Sequence, residues 1–108
     1  KPLLIDAPEW ILLGASAPID LNPNKINYTS EAINAEVEGA LTLEIIVADN
    51  GSVLQVRSIG RKLGYGLDER TLESYRSKKF YPAFLNGKAV TVKTWEYVRF
   101  KLESPQSQ

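Results

Sequence analysis

A chain of 108 residues, 44% hydrophobic and 24% charged, has the length and composition of one globular domain, which excludes the disorder of chains with low hydrophobicity and high charge. Thirteen basic and thirteen acidic residues cancel to zero, so no global charge draws it to nucleic acid or an anionic membrane. With no cysteine and no histidine, it has no disulfide framework, no thiolate or imidazole metal ligand and no ordinary general base near neutral pH, so neither catalysis nor a cofactor is expected.

Residues 1 to 27 hold Pro2, Pro8, Pro18 and Pro23 among apolar clusters, a spacing that prevents a long helix and limits any strand to about Trp10 to Leu13. They read as an N-terminal arm or linker. Thr29 or Ser30 can cap a short helix with Glu31 in its first turn and Ala32, Ile33, Glu36 and Val37 at one-face spacing, ending at Gly39. From Ala40 the period changes to two. Leu41, Leu43, Ile45 and Val47 fall on one side of a strand, and Ala40, Thr42, Glu44 and Ile46 on the other. Asp49-Asn50-Gly51 tolerates the positive φ of a tight turn, and Val53 to Ile59 resumes an extended pattern, so a hairpin is predicted.

Gly60 to Gly66 lacks the spacing of a phosphate-binding loop and reads as a structural loop. A helix is predicted from Asp68 to about Lys79, acidic at its start and basic at its end, with Leu72 and Tyr75, flanked by Leu67 and Phe80, facing the sheet. Pro82 stops it, Asn86-Gly87 makes a turn, and Ala89 to Leu102 forms a long strand. Val90, Val92, Val98, Phe100 and Leu102 share one parity with Thr94 and Glu96, while Trp95 and Tyr97 take the other. That aromatic pair marks a bulge, covers the second face of the sheet, or sits on a binding surface. Residues 28 to 102 thus form the domain, and 103 to 108 are a polar tail.

Charge is unevenly spread. Residues 1 to 60 carry three basic and eight acidic side chains, a net of −5, and residues 61 to 108 carry ten and five, a net of +5. Arg61, Lys62, Tyr65, Arg76, Lys78 and Lys79 could make a basic, aromatic-bearing surface, but the acidic first half argues against a nucleic-acid partner unless folding segregates the charges. Asp68 with Glu69 and Glu36 with Glu38 are the nearest thing to paired catalytic carboxylates, and at helix ends such neighbours are ordinarily solvated.

Gly39 before an alternating strand, Asp49-Asn50-Gly51-Ser52-Val53, Leu67-Asp68 with Leu72, Phe80-Tyr81-Pro82-Ala83, Asn86-Gly87-Lys88-Ala89-Val90 and Phe100 together resemble the TonB C-terminal domain family over about Tyr28 to Leu102. Tyr28 is followed by Thr29 where the family usually has proline. The resemblance implies an α+β fold, a three-stranded antiparallel sheet with two helices on one face, the first two strands forming the hairpin and the third pairing beside the first. It implies a periplasmic domain anchored to the inner membrane by a segment outside these residues, working with ExbB- and ExbD-type proteins and binding the N-terminal peptide of outer-membrane TonB-dependent transporters to transmit proton-gradient energy.

Under that resemblance the peptide adds as a strand along the last strand, where Val92, Lys93, Thr94, Trp95, Glu96 and Tyr97 lie, with Asn27 and Tyr28 contributed from the segment before the first helix. Net of water, backbone hydrogen bonds at roughly 0.5 to 1.5 kcal/mol each suffice for micromolar binding. Lys93 and Glu96 have a second reading as protection of an exposed edge against aggregation. Homodimer formation through the last strand, and a rival role as an envelope interaction module without a transporter partner, stay open.

Overall fold

The computed structural model describes residues 4–5, 9–23 and 26–102. Its centre is an antiparallel sheet built on β3 (Gly39–Val47), which pairs with β4 (Val53–Ile59) on one side and with β7 (Lys88–Phe100) on the other. The β3–β7 ladder runs without a break from Gly39↔Phe100 to Val47↔Val92. Trp95 and Tyr97 therefore do not mark a bulge. Among the described residues a shift in register lies between Ile46 and Val47 on the β4 side, next to the hairpin turn.

Alternation decides the two faces. Leu41, Leu43, Ile45 and Val47 are wholly buried under α2 (Ser30–Asn34) and α3 (Leu67–Arg76), packed with Ala32, Leu67, Tyr75, Phe80 and Phe100. Removing a side chain such as Leu43 from this layer costs about 2 to 5 kcal/mol by cavity formation. The opposite parity, Ala40, Thr42, Glu44 and Ile46, is only half-buried. There Glu44 pairs with Arg57 directly across β4 and with Lys93 of β7 at 3.4 Å. Those attractions hold the Glu44 carboxyl below the usual carboxylate range.

Each helix is set by local chemistry. Thr29 is the N-cap of α2, its Oγ1 accepting from the Ala32 N–H at 3.1 Å while donating to the Tyr65 carbonyl at 2.6 Å. A proline at this position has no hydroxyl to do either. The helix is shorter than its apolar spacing predicts, stopping at Asn34, because Glu36 takes a φ of 55° and turns the chain toward β3. Asp68 is buried at the start of α3, accepting from the Gly64 N–H at 2.7 Å and the Leu63 N–H at 3.3 Å, so it fastens the preceding loop and is not the solvated helix-end acid expected.

The predicted α+β class and the strand pairing stand, with more strands than predicted. β5 (Phe80–Tyr81) pairs with β2 (Ile19–Asp20), β6 (Ala83–Leu85) forms a tight hairpin with β7 through Asn86 and Gly87, and β1 (Leu4–Ile5) runs parallel to β7. Positive φ at both Asn86 and Gly87 is the turn geometry that matches strand twist. Trp10 to Leu13, expected to be at most a strand, is corrected: residues Glu9–Leu12 form one turn of helix, α1. The indole of Trp10 needed a pocket and found it against Ala83 and Val92, which a strand's alternation would not have required.

The uneven charge of the two halves is offset in part by cross-pairing. Asp20 with Lys78 and Glu44 with Lys93 each join an acid of the first sixty residues to a base of the remainder. Lys78 is thereby buried and withdrawn from the basic surface suggested by its neighbours in sequence. Among the described residues no helix is long and apolar enough to cross a membrane.

Candidate functional site

The outer edge of β7, the one away from β3, is divided in two. At its start β1 lies beside it, with Leu4 opposite Thr91 and Ile5 opposite Val92. Next to this the Trp10 indole N–H donates to the Lys93 carbonyl at 3.0 Å. From Thr94 to Phe100 the outer edge has no strand partner among the described residues. Main-chain donors and acceptors left without a ladder along a strand are a template for another extended chain.

The expected site residues separate along this division. Val92 is fully buried against Trp10 and Ala83, and its outer side faces β1. Lys93 reaches across the open face to Glu44. Thr94 and Glu96 lie on the helix side, whereas Trp95 and Tyr97 stand on the open face, 54% and 66% exposed. Both aromatics thus stand on the second face of the sheet with much of their surface exposed, and of the three readings left open only the bulge is set aside. Asn27 and Tyr28 are brought to the same end as Tyr97, on the wall of a groove of about 570 Å³ completed by Ile33 and Tyr75.

Tyr28 is held firmly in that wall. Its ring meets Phe100 edge-on at 5.3 Å between centroids, its hydroxyl donates to the Val37 carbonyl at 2.7 Å, and its own carbonyl accepts from Arg70 at 3.0 Å. Burial, with the Glu38 carboxylate adding to it, pushes the Tyr28 phenol above its ordinary value. It serves as wall rather than acid. Asn27 is exposed beside it.

A polar chain that sequence reasoning missed runs under the middle of β7. Lys78 Nζ lies 3.0 Å from Asp20 Oδ2, donates to the Asn22 carbonyl at 2.6 Å and sits 5.1 Å from the Tyr75 ring centre. The Tyr75 hydroxyl donates to Glu96 Oε1 at 3.3 Å. Burial first, then the Glu96 charge, pushes the Tyr75 phenol up. Burial also raises the Glu96 carboxyl above its ordinary value, and Asp20 adds to the shift, while Tyr75 and Lys78 oppose it. Asp20 and Lys78 stand 58 positions apart, and no local pattern announces such a pair.

Glu96 has a measurable consequence. Its folded state holds the proton more tightly than the unfolded chain, so its contribution is full below the ordinary carboxylate value and is lost as pH rises through the raised one. Glu96→Gln, which keeps an acceptor for Tyr75, should remove that slope. Denaturation curves should then show the variant gaining on the wild type as pH rises above the ordinary carboxylate value, and equal pH dependence of the two would contradict the burial of this carboxylate.

A helix-backed antiparallel sheet, ending in a long strand whose outer edge from Thr94 to Phe100 has no strand partner among the described residues, defines an α+β domain. A family model described as Gram-negative bacterial TonB protein C-terminal matches residues 24–102, and the chain belongs to that family. Membership makes it a TonB-like domain of the energy-transduction class, connected with outer-membrane transporters and with the periplasm. No curated protein matches the chain.

Proposed function

We propose that the domain binds the N-terminal peptide of an outer-membrane transporter as an added strand on the outer edge of β7, and so transmits energy derived from the proton gradient for uptake. The observation that carries this reading is the unpartnered run from Thr94 to Phe100 lying beside the Asn27 and Tyr28 groove. An extended peptide there meets main-chain groups of the edge, with Trp95 and Tyr97 on one side and Thr94 and Glu96 on the other. In this reading the inner-membrane anchor and the ExbB- and ExbD-type partners act through the sequence before the domain.

The test is a titration of the isotopically labelled chain with a synthetic transporter N-terminal peptide. Amide shifts should cluster over residues 94–100 and around Asn27 and Tyr28, with micromolar affinity. Scattered shifts, or none at millimolar peptide, would reject the docking site. The arm seated on the first part of the edge favours a second reading, an envelope interaction module with no transporter partner. Shifts that depend on protein concentration alone would support that module in the form of paired copies.

A further inference from the structure

The same edge carries its own competitor. A strand offers two edges, and beyond the β6 hairpin β3 takes one side of β7 over Val92 to Phe100. On the other side, a second strand lies about 4.8 Å away and fills that position completely. β1 holds that position at Thr91 and Val92, in parallel orientation. Any partner strand that extends back past Thr94 meets it.

What keeps this arm in place is visible a few residues on. Trp10, 6% exposed, is packed on Ala83 and Val92, with Leu85, Val90 and Ala15 around them, and its indole N–H occupies the Lys93 carbonyl. Ser16 then ties the following segment to β6 twice, its N–H donating to the Phe84 carbonyl at 2.9 Å and its Oγ accepting from the Phe84 N–H at 3.0 Å. Trp10 is thus an anchor that places β1 at the start of the docking edge. A buried aromatic with its polar atom satisfied is well suited to hold two residues of strand that could not stay paired alone.

We propose that this N-terminal segment is an intramolecular latch, with β1 and the Trp10 indole occupying Thr91 to Lys93 until a partner strand displaces them. The proposal rests on the peptide-docking reading for its partner and adds regulation of the same edge. An added strand confined to Thr94 to Phe100 would be short, and recruitment of Thr91 to Lys93 lengthens the ladder only after the latch has opened. If the latch is closed nine-tenths of the time, the apparent affinity for such a peptide falls by about tenfold.

Two variants of the 108-residue chain test it: Ile5→Pro, which prevents strand pairing by β1, and Trp10→Phe, which keeps a ring but loses the indole donor. Each should bind the transporter N-terminal peptide about tenfold more tightly than the wild type, and in the saturated wild type the Trp10 indole proton should move to a solvent-exposed position. Unchanged affinity in both variants, or an indole proton that does not move on saturation, would overturn the latch. If the peptide binds none of the three proteins, the docking reading fails by itself. Amide exchange without peptide then decides the latch: faster exchange at Thr91 to Thr94 in both variants supports it, and exchange equal to the wild type refutes it.

Discussion

Gly51→Ala should lower stability by about 3 kcal/mol, which in a chain of this size is a fall of roughly 10 to 20 °C in melting temperature. Two effects add. Gly51 has a φ of 89°, which an L side chain adopts only with strain, and a Cβ built on it stands 2.1 Å from the Phe80 carbonyl oxygen. That oxygen belongs to the backbone and cannot swing aside. The turn is also bonded there, the Phe80 N–H donating to the Gly51 carbonyl at 2.8 Å, so relieving the clash breaks the contact between the hairpin and β5. Gly87→Ala is the control, since Gly87 has a φ of 80° and nothing within 4 Å of its built Cβ. It should cost about 1 kcal/mol, the strain alone. Thermal melts giving equal losses for the two would show that the close approach of Gly51 to Phe80 is unimportant.

Lys78→Met should be nearly as damaging, at about 3 kcal/mol. The side chains of Lys78 and Asp20 are 7% and 14% exposed, and the ammonium also satisfies the Asn22 carbonyl. Removing it leaves a carboxylate and a carbonyl facing a thioether in a place poorly reached by water. The Glu96 carboxyl, already raised by burial, loses an opposing positive charge and should titrate higher still. Adding Asp20→Asn should restore at least about 1 kcal/mol, because the stranded charge is what costs most. Chemical denaturation of the two single variants and the double variant measures this. Strict additivity would mean that the pair contributes nothing as a pair.

The parts of this fold that were legible in the sequence are those whose cause is local. The period of two from Ala40 to Val47, the Asn86-Gly87 turn and the charge order along Asp68 to Lys79 each state their geometry within a few residues, and the hairpin, the last strand and α3 follow. The arm was not legible in this way. Its prolines correctly excluded long elements, but β1, α1 and β2 exist because of Thr91, Ala83, Phe80 and Lys78, which lie far along the chain. The candidate site divides likewise. Alternation placed Trp95 and Tyr97 opposite Glu96, whereas the convergence of Tyr28 with Phe100 depends on how α2 returns across the sheet. The polar chain from Asp20 to Glu96 has no sequence signature, because its members come from three separate stretches.

The unbroken β3–β7 ladder bears on how such a domain would carry load. Its hydrogen bonds stand across the strands, so tension along a chain docked beside β7 is shared by all nine rungs from Gly39↔Phe100 to Val47↔Val92 at once. Tension applied across the strands would instead open the rungs one after another from an end. With β3 gripping the opposite side of the strand on which the proposed peptide would dock, the domain resists a lengthwise pull far better than a peeling one, and the direction in which force arrives decides whether it holds or lets go.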